Sequence, residues 1–120
     1  MKIIRLAAMS PALLIVTTAC GGGSDESHVL LYKPSGSLQC AATQTTQARL
    51  EAEVASLRSA GAVVSASHCA NDGAAHAAVC GASNGDLFAV SVTPPSVAAA
   101  RQLGFASAGG LPSVRTMACQ

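Results

Sequence analysis

The sequence predicts a small α+β domain: a two-layer sandwich with an antiparallel-rich, four-stranded sheet, two helices on one face, and the order β-α-β-β-β-α. Three observations carry that expectation. Compact runs of β-branched and aromatic residues at His28–Tyr32 and Asp86–Val92 have strand character. Two longer segments, 43–60 and 93–103, have helical spacing or helix-forming composition between capping residues and glycines. Four cysteines spread over residues 40–119 offer covalent support to a chain poor in large side chains.

Taken in order, His28-Val29-Leu30-Leu31-Tyr32 is strand one, ended by Lys33-Pro34-Ser35-Gly36, where Pro34 removes a ladder donor and Gly36 permits a turn. Thr43 to Ala60 is the clearest helix. Leu50, Val54 and Leu57 recur on one stripe, with Thr43 or Thr45 placed to cap the start and Gly61 to stop it. Arg49, Glu51, Glu53 and Arg58 lie off the stripe, and Arg49 stands one turn before Glu53, the pattern of a solvated, ion-paired face. Residues 62–69 form strand two. Asn71-Asp72-Gly73 and Ser83-Asn84-Gly85 are turn signals, and the intervening 74–82 suits either an alanine-rich helix or, preferred for its length, a third strand returning along its neighbour. Asp86–Val92 is strand four, with Phe88, Val90 and Val92 on one face. Thr93-Pro94-Pro95-Ser96 opens the second helix, which Gly104 stops with Phe105 folded back; 106–120 is an irregular tail with a short edge strand around Val114.

The strand–helix–strand order predicts strands one and two as parallel neighbours joined by a right-handed crossover. Cys40 and Cys69 then share one end of the sheet, and Cys80 and Cys119 the other, so Cys40–Cys69 and Cys80–Cys119 is the preferred of three possible pairings.

Composition narrows the function classes. Residues 21–120 hold Lys33, Arg49, Arg58, Arg101 and Arg115 against Asp25, Glu26, Glu51, Glu53, Asp72 and Asp86, five against six, a net charge of −1. With no basic patch and Tyr32, Phe88 and Phe105 as the only aromatic residues, nucleic acid is not an expected partner.

The N-terminus fixes the compartment. Met1–Arg5 carries two positive charges and Leu6–Val16 is apolar, whereas a membrane span needs roughly 20 apolar residues. The ending Thr17-Thr18-Ala19-Cys20 resembles the lipobox of bacterial lipoproteins, with Thr17 where that family usually has Leu, Val or Ile. The resemblance implies acylation of Cys20, cleavage before it and a membrane anchor; Gly21 in place of Asp favours the outer membrane. Residues 1–19 are then a signal peptide, 20–27 the lipidated cysteine with a flexible Gly/Ser/acid tether, and 28–120 a single domain. Thr17-x-Ala19 also suits a general signal peptidase, which leaves a secreted or periplasmic soluble protein as the alternative. An oxidising compartment reads the four remaining cysteines as two disulfides.

No catalytic set emerges: no G-x-S-x-G is present, and Asp72 and Asp86 occupy turn positions. His68, Cys69, His76 and Cys80, with Met117, form a possible copper or zinc set, but their spacing matches no standard zinc pattern and disulfides compete for the thiolates. No cofactor is therefore assigned. The segment Lys33, Pro34, Ser35, Gly36, Ser37, Leu38 and Gln39, between a strand and a covalent anchor, is the candidate binding loop for an envelope protein, because a stapled loop loses little entropy on docking. The expectation is a non-enzymatic binding or structural domain tethered to the membrane, alternatively a protease-inhibitor-like module.

Overall fold

Residues 86–92 are buried at nearly every position, and the sheet assembles on both sides of them. The structure is a computed structural model that describes residues 27–41, 45–111 and 113–120. It contains β1 (Val29–Pro34), α1 (Thr46–Ser59), β2 (Val64–Asn71), β3 (Asp86–Val92), α2 (Val97–Gln102, entered through a single 3-10 turn at Pro94–Ser96) and β4 (Arg115–Met117). The sheet order is β1-β3-β2-β4, with every neighbouring pair antiparallel. Phe88, Val90 and Val92 lie on one face of β3, and Leu87 and Ala89 on the other.

Both helices cover the first face. Leu50, Val54 and Leu57 of α1 and Ala100 of α2 join Leu31, Phe88, Val90, Val92 and Phe105 in one core. Burial of each large side chain contributes about 1.5–3 kcal/mol. Thr45 caps α1, its hydroxyl accepting from the Ala48 N–H at 3.3 Å. The chain leaves α1 through Gly61 at φ +85°, with the Ala62 N–H returning to the Leu57 carbonyl. Buried Ser96 fixes the start of α2: its hydroxyl accepts from the Val63 N–H at 2.8 Å. Past α2, the Phe105 N–H bonds the Ala100 carbonyl and the ring is buried, the expected fold-back.

The fold class, four strands and two helices hold, but the wiring differs. β1 and β2 run the same way yet are not neighbours, since β3 inserts between them as in a split β-α-β unit. Residues 74–82 form no strand; β2 reaches β3 through an irregular connection spanning 72–85, and the order is β-α-β-β-α-β. The fourth strand is β4, where the edge strand around Val114 was expected. After α2 the chain touches β1 at a single bridge, Tyr32 with Ala106, then passes beneath the second face. There Leu111 and Val114 pack on Ala70, Leu87 and Ala89 before β4 joins the far edge.

The expected pairing Cys40–Cys69 and Cys80–Cys119 is incorrect. The disulfides are Cys40–Cys80 and Cys69–Cys119. With β3 interposed, the end of β1 is not beside β2, and the chain beyond Pro34 continues outward instead of turning back. β4 meanwhile sets Met117 opposite Cys69, which brings Cys119 within reach of it. Beyond that bridge the Gln120 carbonyl accepts from both the N–H and the hydroxyl of Thr46, at 2.6 and 2.7 Å, docking the tail on the start of α1.

Candidate functional site: the disulfide-capped arm

The ladder of β1 and β3 does not stop at Pro34 and Leu87. The Ser35 N–H bonds the Asp86 carbonyl at 2.9 Å, Leu38 bridges Ser83, and Gln39 exchanges backbone bonds with Ala82 and Gly81. Residues 35–41 and 79–85 therefore run side by side as an arm that ends in two turns and is closed by Cys40–Cys80. Cys40 takes φ +65°, a left-handed conformation unusual for a residue with a Cβ.

Arg49 braces the arm from α1. Its guanidinium donates to the Ser35 carbonyl and, at 3.1 Å, to the Ser37 hydroxyl, and stands 5.8 Å from the centre of the Phe88 ring. Buried Ser35 donates its hydroxyl to that of Ser37 at 2.9 Å. Lys33 is equally committed: its ammonium contacts both Glu53 oxygens at 2.9 Å and lies 5.6 Å from the Phe105 ring centre. The two cations and Glu53 that read as helix-surface or loop charges thus anchor β1 and its extension to α1.

This commitment divides the candidate loop. Lys33, Ser35 and Ser37 are internal supports, while Pro34, Gly36 and Leu38 face outward. Leu38 is 44 % exposed and, from the opposite limb, Val79 is 63 % exposed. Both flank the disulfide. A cleft of about 410 Å³ separates the arm from the N-terminus of α1, bordered by Ser37, Leu38, Arg49, Asn84 and Asp86. The Asp86 carboxylate is held by Asn71 and Asn84 amides at 3.1 and 2.8 Å.

Ser83-Asn84-Gly85, a turn signal in the sequence, lies within the limb 79–85 and pairs with the limb 35–41 instead of closing a hairpin between two strands. The apolar continuity of Leu87–Val90 is the mark of a strand covered on both faces. Arg49 was missed because Glu53, one turn away, offered a simpler local partner.

The metal-ligand set is not brought together. Cys69 and Cys80 belong to different disulfides, and His68 alternates with Cys69 to the other side of the sheet. His76 Nε2 lies 2.8 Å from both Asp72 oxygens. That contact, with a hydrogen bond from the Ala74 N–H, holds the Asp72 carboxyl below its ordinary range. Among the described residues no group of three His, Cys, Asp or Glu side chains converges. The Asp72–His76 pair instead ties down the 72–85 connection: the Asp72 N–H bonds the Gly85 carbonyl at 2.9 Å. Cys20 and the candidate cap Thr43 lie outside the described residues. Among those described, no helix is long and apolar enough to cross a membrane. No protein-family model, characterised protein or solved structure matches the chain.

Proposed function

We propose that the chain is an exported envelope lipoprotein, anchored through Cys20, whose domain is a non-enzymatic binding module that meets an envelope protein with the tip of its arm. The observation that carries this reading is the pair of outward apolar side chains, Leu38 and Val79, on a limb pair stapled by Cys40–Cys80 and braced by Arg49. A surface already held in one conformation binds with little ordering cost, and exposed apolar side chains supply the contact. The commitment of Cys69 and Cys80 to disulfides counts against the copper or zinc alternative.

A photo-crosslinking residue placed at Leu38 or Val79 of the exported chain should capture a discrete protein, and one at exposed Ala98 on α2 should not. Equal capture at all three positions, or at none, overturns the arm as the contact. Separately, Cys20→Ala should abolish acyl labelling and release the chain from the membrane fraction; retention without label removes the anchor.

A further inference from the structure

The second feature lies on β2, away from the arm. β3 pairs with β2 along its length, but β4 covers the other edge only at Cys69–Asn71. Among the described residues, the outer edge of Val64–His68 has no strand partner. Such edges recruit strands unless blunted by Lys, Pro or a bulge. Val64-Ser65-Ala66-Ser67-His68 contains neither Lys nor Pro, and its irregularity, between Val64 and Ala66, leaves Ala66–His68 in register. Ser65, Ala66 and Ser67 are exposed, and Val63 just before them is 58 % exposed.

Beside this edge, α1 packs against β2, and a cleft of about 440 Å³ opens between them, bordered by Glu51, Ala55, Arg58, Ser67 and Met117. Glu51, Ala55 and Arg58 are exposed along one row of α1. Glu51 accepts only from the neighbouring Gln47 amide, and Arg58 has no ion-pair partner among the described residues. Glu51 and Arg58 lie about 10 Å apart along the helix, with their midpoint between Val54 and Ala55.

We infer that this face binds a second copy of the chain. The in-register segment Ala66–His68 of the two copies pairs antiparallel about a two-fold axis normal to the sheet, joining the two four-stranded sheets edge to edge. The same axis keeps the helices on one side and sets α1 antiparallel to its copy, with small Ala55 at the approach. Glu51 of each copy then faces Arg58 of the other, the reciprocal contact that a two-fold interface requires. The choice of occupant rests on this charge symmetry. An unrelated extended peptide could use the strand edge, but would leave the acid and base on either side of Ala55 without a role.

Sedimentation equilibrium of the full chain up to about 100 μM should return a dimer mass. Arg58→Glu and Glu51→Arg each place like charges across the axis and should weaken association about tenfold or more, with thermal melting unchanged at dilutions where the chain is monomeric. The exchange Glu51→Arg with Arg58→Glu should restore it, and Ala66→Lys should abolish it from the strand side. Leu38→Ser and Val79→Ser should leave the mass unchanged, which separates this inference from the arm. A monomer over the whole range overturns it. So does a dimer that Arg58→Glu and Ala66→Lys leave intact, or a charge exchange that fails to restore association.

Discussion

At Gly85 an added side chain would displace a neighbouring ion pair. A Cβ there would run into His76 Nε2 and lie 2.6 Å from Asp72 Oδ1, both side-chain ends, and the backbone has φ +79°. Gly61 has a similar φ, +85°, but open space around it. Gly61→Ala should therefore cost only the backbone penalty of about 1–2 kcal/mol. Gly85→Ala should add the loss of the Asp72–His76 contact, about 0.5–1 kcal/mol, to the same penalty, a difference that paired urea titrations will read. The neighbouring Asp72 gives a pH signature. Its carboxyl is held below the ordinary value of 3.8, first by the hydrogen bond with His76 and then by that from Ala74. Since the folded-state value is the lower one, the unfolded chain binds the extra proton as the medium acidifies. The stabilisation is complete above about 3.8 and is lost as pH falls through the folded-state value. Asp72→Asn should lack this acid-side loss, so urea midpoints of the two proteins should converge as pH is lowered through that window.

Among the elements, the arm depends on one side chain of α1. Arg49→Ala removes two hydrogen bonds and a ring contact, and should lower stability by about 1–3 kcal/mol. Its sharper effect is local: the Gln39 and Asn84 amides, which bond across the arm, should exchange hydrogen faster while β3 amides in the core remain protected. Arg49→Lys should not restore protection, because an ammonium cannot reproduce the fork that reaches Ser35 and Ser37 together. What the sequence disclosed and what it withheld divide along the same line. The stripe Leu50, Val54 and Leu57, the cap at Thr45, the stop at Gly61 and the strand 86–92 all depend on neighbours within a few residues, and each was legible. The insertion of β3 between β1 and β2 depends on the choice among distant partners, which local pattern does not encode. Residues 74–82 were misread for a related reason. Their alanines favour a helix locally, but what fixes them is His76 on Asp72 and Cys80 on Cys40. Of the site, the outward Leu38 was within the segment chosen from sequence, whereas Val79 on the other limb was not.

For the molecule as a whole, the two covalent links close segments of 40 and 50 residues. In the chain-entropy description each removes about 4 kcal/mol of denatured-state freedom, comparable with the net stability of a small domain. They guard different parts. Cys69 is buried in the core, so Cys69→Ser with Cys119→Ser should destabilise the whole domain and free the tail from Thr46. Cys40 and Cys80 are exposed, so Cys40→Ser with Cys80→Ser should chiefly loosen the arm and reduce capture at Leu38 and Val79. Thermal melts combined with hydrogen exchange distinguish the two patterns. Peptide mapping of the unreduced protein should recover Cys40 with Cys80 and Cys69 with Cys119.

The order of those links along the chain carries a biosynthetic consequence. Of the four bonded cysteines, the first pairs with the third and the second with the fourth, so the partners interleave. A polypeptide that emerges N-terminus first into an oxidising compartment presents Cys40 and Cys69 before Cys80. A thiol oxidant acting as they arrive would join those two, the wrong couple, and exchange through a mixed disulfide would be needed to correct it. Production of the native form should therefore depend on a disulfide isomerase as well as an oxidant. Cells without isomerase activity should accumulate a Cys40–Cys69 species, trapped by rapid alkylation, and lose it when a low-molecular-weight thiol is supplied. Equal yields of native protein with and without the isomerase would mean that the fold assembles before its thiols are oxidised.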